Sequence, residues 1–134
     1  MYAFATISII AGLLIPARLY QLSRKPRYYE HLGVKSIRLL VQDGDFAKAS
    51  GTGKQPAQQL IRNRTQAQKY LQTIAMYERY HLICLLLFTL TGCHALIHEH
   101  IWLAIIITMS NIIYNICPML LQQYNRARIR AMLG

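Results

Sequence analysis

Residues 101–121 carry no formally charged side chain, and a run of that length, at ~1.5 Å per helical residue, covers the ~30 Å hydrocarbon layer of a bilayer. In hydrocarbon every backbone amide and carbonyl must be satisfied internally, so such a segment has to be a helix. A second apolar stretch, residues 82–97, has no formal charge and is marginal alone. Only the polar break His98-Glu99-His100 separates it from the first, which predicts a tight antiparallel hairpin inserted as one unit. A third apolar stretch, residues 1–22, is broken by Pro16 and Arg18. These runs explain why only 15% of the residues are charged, where a soluble domain has roughly 25%. The expected fold class is an all-α membrane protein with three transmembrane helices in a single domain, 1–134. Its parts are an N-terminal anchor (1–22), a basic amphipathic cytoplasmic region (23–79), a C-terminal helical hairpin (80–97 and 101–122) and a basic tail (123–134).

The net charge of +10 raises nucleic acid as a partner, but the placement of the charge argues otherwise. All Lys and Arg residues fall between Arg18 and Arg79 or at Arg126, Arg128 and Arg130, and the opposite loop at His98 to His100 has none. Three crossings put both groups on one side. That is the positive-inside pattern, with the N-terminus outside and the C-terminus cytoplasmic, and anionic lipid accounts for the charge. No nucleic-acid-binding motif is present, so no nucleic-acid partner is expected. Bases follow the first apolar run (Arg18, Arg24, Lys25, Arg27) and none precedes it, which predicts an uncleaved anchor.

Within the polar region, Tyr29, Leu32, Ile37 and Leu40 punctuate an amphipathic helix over 28–42 that lies at the interface with a break at Gly33, and Asp43-Gly44-Asp45 ends it. Gly51-Thr52-Gly53-Lys54 lacks the spacing of a phosphate-binding loop and follows no strand, so it reads as a loop. From Ala57 to Tyr80 there is no Gly or Pro and the apolar residues keep helical spacing, which predicts a helix running straight into the second span. Tyr20, Tyr28, Tyr29, Tyr70, Tyr77, Tyr80 and Tyr124 form an expected aromatic belt. Cys84, Cys93 and Cys117 read as small apolar helix residues, His94, His98 and His100 as a solvated turn, and no metal site is expected.

Two patterns carry chemistry. Asn111, Asn115, Pro118, Gln122 and Asn125 recur at intervals of four and three, which puts them on one face of the last helix. Amides at membrane depth need protein partners or water, so the stripe glues helices together or lines a site. Pro118 has no amide hydrogen and frees the carbonyl of Tyr114, which predicts a kink. Glu78 and His81, three apart at the entry to the second span, point the same way. A carboxylate beside a histidine suits a general base taking a proton from a hydroxyl, and an interfacial ion pair or helix cap fits the same spacing.

The run Asn115-Ile116-Cys117-Pro118-Met119-Leu120-Leu121-Gln122-Gln123-Tyr124-Asn125-Arg126-Ala127-Arg128 resembles the terminal signature of the glycosyl-4,4'-diaponeurosporenoate acyltransferase family, in which an Asn and a Pro precede Gln-Arg-Tyr-Asn-Arg-x-Arg. Glu78-Arg79-Tyr80-His81 is similar to that family's Glu-x-x-His, and the segment from Val34-Lys35 to Asp43-Gly44 to its basic segment ending in Asp-Gly. Leu82 departs from the family's usual Trp and Gln123 from its Arg, so a role needing that cation does not carry over to position 123. The resemblance implies transfer of a fatty acyl chain to a sugar hydroxyl of a glycosylated carotenoid or similar glycolipid, in a bacterial inner membrane.

On that expectation His81, oriented by Glu78, is the base, the acyl donor is a thioester, and no cofactor is resident. Asn115, Gln122, Asn125 or amides near Pro118 supply oxyanion donors, and Asn111 belongs to the same substrate-binding stripe. Arg126 and Arg128 meet phosphates of the donor or lipid headgroups, and Asp43 is a second candidate acid or base. The expected partners are membrane lipids and a lipid-like acceptor. The competing reading is a non-catalytic accessory subunit whose polar stripe packs within a larger membrane complex or homo-oligomer. A site requires these residues to converge on an open, wet pocket; a subunit buries them in helix contacts.

Overall fold

The computed structural model describes residues 2–34, 36–37 and 64–134. Asp43, the Gly51-Thr52-Gly53-Lys54 segment and the end of the expected amphipathic helix therefore lie outside the described residues. All regular structure among the described residues is helical: α1 (Tyr2–Leu14), α2 (Ala17–Tyr20), α3 (Pro26–His31), α4 (Arg64–Ile97), α5 (Ile101–Asn111), a π-helical turn (Ile112–Ile116) and α6 (Cys117–Leu133). Among these residues two helices are long and apolar enough to cross a membrane, Thr65–Ile97 and Ile101–Leu133.

The expected single helix over 1–22 is instead two. A proline ring disfavours helical geometry in the residue before it, and Pro16 itself sits in extended backbone (φ −71°, ψ 144°). Helix α1 therefore stops at Leu14. Its 13 residues reach only about 20 Å. Ser8 and Gly12 form the buried edge of α1, and a Cβ on Gly12 would run into Cγ1 of Ile83, so this glycine sets how closely α1 approaches α4. The Phe4 ring lies 5.6 Å from that of His94, so α1 runs antiparallel to α4.

Helix α4 is unbroken for 34 residues, as expected from Arg64 onward; the start of that expected helix, residues 57–63, lies outside the described residues. The hairpin closes where the polar break predicts. Glu99 takes a left-handed conformation (φ 62°) and the His100 amide donates to the Ala95 carbonyl at 2.9 Å, a helix-ending arrangement that usually employs glycine. Beyond the turn, Gly92 faces Ile107 and Thr108 across ordinary van der Waals distances, and the buried Ala95 and Ala104 keep the two backbones close.

Pro118 disturbs the last helix as expected, and the form of the disturbance is a π turn. The Cys117 amide donates to the Ile112 carbonyl, five residues back, just ahead of the position where the missing amide of Pro118 interrupts the ladder. Past that point α6 contributes to both core clusters. Tyr29, Val34, Leu121, Tyr124 and Ala127 form one cluster, and Ala67, Ile74 and Ile129 another.

The segment after α2 folds onto α6 rather than standing apart. Pro26 opens α3 at its first turn, where the lost amide costs nothing, and Gly33 (φ 74°) ends it. The break expected at Gly33 is thus present. Tyr29 and Val34 are fully buried, and burial of Val34 alone contributes roughly 1.5–3 kcal/mol. Of the expected aromatic belt, Tyr29 and Tyr124 are core residues, whereas Tyr28, Tyr77 and Tyr80 are exposed.

Candidate active site

Helices α4 and α5 meet along a polar seam. His81 and Asn115 face one another, with Nδ1 of the ring 3.4 Å from Oδ1 of the amide. Nδ2 of Asn115 donates to Oδ1 of Asn111 at 2.8 Å. Nδ2 of Asn111 in turn donates to the Leu85 carbonyl at 3.1 Å and to Oγ1 of Thr89 at 3.2 Å. Asn111 and Asn115 are buried and His81 is half-buried. The helical spacing of the stripe accounts for this: 111 and 115 lie one turn apart on α5 and the π turn, and 81, 85 and 89 one turn apart on α4.

Glu78 does not orient His81. Its Oε2 lies 2.8 Å from Nη1 of Arg126, and the two side chains are 0% and 3% exposed. No hydrogen bond or ion pair joins Glu78 to the imidazole, because the carboxylate turns into the α4–α6 contact while the ring turns toward the π segment. The Glu78–Arg126 contact is single-pronged. Among the described residues, both carboxylate oxygens of Glu78 and Nε and Nη2 of Arg126 are buried with no hydrogen-bond partner, so Oε2 and Nη1 meet as an ion pair only. The pair therefore lacks the surrounding bonds that offset desolvation of two charges.

Gln123 has a structural role that its place in the sequence does not reveal. It is fully buried. Its Nε2 donates to the Tyr20 carbonyl at 3.0 Å, and its Oε1 accepts from the Leu22 amide at 3.3 Å. The Tyr29 hydroxyl accepts from the Ser23 amide at 3.0 Å and holds its one proton between the Ser23 carbonyl at 2.8 Å and Oε1 of Gln123 at 3.1 Å. Burial pushes the Tyr29 phenol above its usual range, so it stays neutral in this role. One amide thus fastens the non-helical segment after α2 to α6, using an acceptor that an arginine would not supply.

The remaining candidates sit around this frame. Gln122 and Asn125 are half-buried on α6 and make no side-chain hydrogen bond among the described residues. The Arg128 guanidinium lies 5.5 Å from the centre of the Tyr124 ring, and the Tyr124 hydroxyl donates to Glu30 at 2.9 Å. A cavity of about 510 Å³ opens between α2 and α4, lined by Ala17, Tyr20, Met76, Arg79, Tyr80 and Ile83 among others. None of the expected site residues that are described lines it. Glu78, Asn111, Asn115 and Arg126 are buried in helix contacts. Thr89 is not among the expected residues, although its signal is present in the sequence: it lies one turn from Leu85 on the face that carries His81.

Compared with known families, residues 16–134 match the family described as glycosyl-4,4'-diaponeurosporenoate acyltransferase. The match omits α1 and takes in the polar seam, the buried ion pair and the Gln123 clamp. Neither a curated protein nor a solved structure matches the chain. With its family match running from Pro16 through the terminal signature to Gly134, the chain belongs to the glycosyl-4,4'-diaponeurosporenoate acyltransferase family.

Proposed function

We propose that this protein is a membrane-embedded O-acyltransferase that moves a fatty acyl chain from a thioester to a sugar hydroxyl of a glycosylated carotenoid or similar glycolipid. The family match over residues 16–134 carries this reading. In the proposed reaction His81 takes the hydroxyl proton as the sugar oxygen attacks the thioester carbonyl. The tetrahedral intermediate expels the thiolate, which receives the proton from the imidazolium. Asn111 and Asn115 have their donors engaged in the seam, so the substrate-binding role they were expected to share falls to Gln122 and Asn125, whose amides can face a developing oxyanion. Glu78 acts at a distance by holding Arg126 and locking α4 against α6. Arg128 meets the donor's phosphates or lipid headgroups, and Asp43 is kept as a second acid or base.

The proposed setting is a bacterial inner membrane crossed three times, N-terminus outside and C-terminus cytoplasmic. The antiparallel arrangement supports it. Arg18, Arg24, Lys25, Arg27, Lys69 and Arg79 fall at the same end of the bundle as Arg126, Arg128 and Arg130, away from the α4–α5 turn, as the positive-inside pattern requires. Helices α4 and α5–α6 extend well past a ~30 Å core, so their shared cluster at Ala67, Ile74 and Ile129 lies on the cytoplasmic side.

One observation favours the accessory-subunit reading: Glu78, Asn111, Asn115 and Arg126 are buried in helix contacts, while Trp102, Ile106 and Tyr114 on α5 and its π turn are exposed. Lipid and pigment extracts from cells that make the glycosylated acceptor separate the two. Cells with the intact protein should gain an acylated product that cells with His81→Ala, at matched membrane abundance, lack. Identical extracts from these two remove His81 from the reaction, and an intact protein that adds nothing over empty cells favours the subunit.

A further inference from the structure

The seam between α4 and α5 has a direction, and the direction reaches His81. At its far end Asn111 faces two groups that can only accept. One is the Leu85 carbonyl, 3.1 Å away; the other is Oγ1 of Thr89, 3.2 Å away, whose own proton is committed to the Leu85 carbonyl at 2.7 Å. The end of Asn111 pointing there must be its NH2 group, since a reversed amide would set oxygen against two acceptors. Its Oδ1 is then the group that meets Asn115 and takes a hydrogen from Nδ2 at 2.8 Å. This leaves Oδ1 of Asn115 facing Nδ1 of His81 at 3.4 Å. An amide oxygen cannot donate, so Nδ1 must carry the hydrogen.

We infer that Asn111 and Asn115, anchored by Thr89 and the Leu85 carbonyl, are positioning residues that hold His81 as the Nδ1–H tautomer and leave the lone pair on Nε2. A neutral imidazole free in water prefers its hydrogen on Nε2, so the seam reverses the default. The inference rests on the reading of His81 as the base and assigns the atom that would receive the hydroxyl proton. Burial strengthens the device: Asn111 and Asn115 are 6% and 4% exposed, so water does not compete for the amides and a reversed member would leave buried polar groups unpaired. The π turn contributes by placing Asn115 within reach of α4 while its backbone stays helical. When Nε2 takes a proton, Oδ1 of Asn115 remains in place to accept from the imidazolium, so the chain of bonds need not rearrange during a proton transfer.

The test is 15N NMR of the histidine rings in the full-length protein, labelled at histidine and held in lipid nanodiscs, with the His81 signals assigned by their loss in His81→Gln. At a pH where the ring is neutral, the expected spectrum has a protonated Nδ1 and an unprotonated Nε2. Asn115→Leu, which removes the acceptor facing Nδ1, should move the hydrogen to Nε2. A wild-type spectrum with the hydrogen on Nε2 overturns the inference without any variant having to fold, as does an Asn115→Leu protein that keeps the wild-type tautomer. In the extract assay Asn115→Leu should lower product formation by about 10²-fold. Full activity in His81→Ala would defeat the base assignment while leaving the tautomer result standing, so the two failures are distinguishable.

Discussion

Removing one member of the Glu78–Arg126 pair should be far more damaging than removing both. At 2.8 Å the two charges attract by about 6 kcal/mol for an effective dielectric constant of 20. Against this stands the cost of taking both ions out of water, several kcal/mol each, with four polar atoms of the pair lacking a hydrogen-bond partner among the described residues. The net contribution of the pair is therefore near zero. Arg126→Leu leaves a fully buried carboxylate with no counter-ion and should destabilise the fold by about 3–5 kcal/mol, and Glu78→Leu should do the same by stranding the guanidinium. The double variant replaces the pair by apolar volume between α4 and α6. It should come back to within about 1 kcal/mol of the parent or exceed it. Unfolding of the purified protein in mild detergent, followed by helical circular dichroism across a denaturant series, reads all four proteins. A double variant as unstable as the sum of the singles, or singles within about 1 kcal/mol of the parent, would refute the reasoning, because either result means that the two charges are solvated or independently partnered.

Three further outcomes follow from the packing. Gln123→Ala strands the Leu22 amide and the Tyr20 carbonyl and should cost about 2–4 kcal/mol; amide hydrogen exchange at Leu22 should accelerate, and unchanged protection there would argue against the clamp. Gly12→Val drives a branched side chain into Ile83 and should cost about 1–3 kcal/mol, read as weaker crosslinking between cysteines placed on facing positions of α1 and α4, whereas full crosslinking would mean that α1 is not held at this distance. Glu99→Gly relieves a left-handed conformation that costs a non-glycine residue about 1 kcal/mol and should raise the denaturation midpoint; a lower midpoint would mean that the Glu99 side chain, rather than its backbone, stabilises the turn.

Part of the site is legible in the sequence. The four-and-three spacing of Asn111, Asn115, Gln122 and Asn125 predicts a polar face, and the short break at His98 to His100 predicts that this face meets the preceding helix. The turn holds, and so does the face at Asn111 and Asn115, because helical periodicity and turn length are local properties; Gln122 and Asn125, past the π turn, make no side-chain hydrogen bond to α4 among the described residues. The pairing of Glu78 with His81 also rests on local spacing, and there the expectation fails. Sharing a helical direction says that two side chains can point to the same side, and it does not say which partner on the neighbouring helix will compete for them. Arg126, which takes the carboxylate, lies far along the chain on the last helix.

The helical class, the hairpin, the disturbance at Pro118 and the family are all carried by composition, periodicity or contiguous motif, and the chain specifies them without reference to its folded neighbours. The set of partners belongs to the folded molecule alone: Glu78 with Arg126, His81 with Asn115, and Gln123 with the segment that follows α2. So does the burial of Tyr29 and Tyr124 in the core instead of the interface. Hydrogen bonds and ion pairs act over about 3 Å, a scale set by how closely α4, α5 and α6 approach and how the π turn rotates the last helix. That rotation depends on all the contacts at once, whereas the pattern along the chain records only which faces are available to make them.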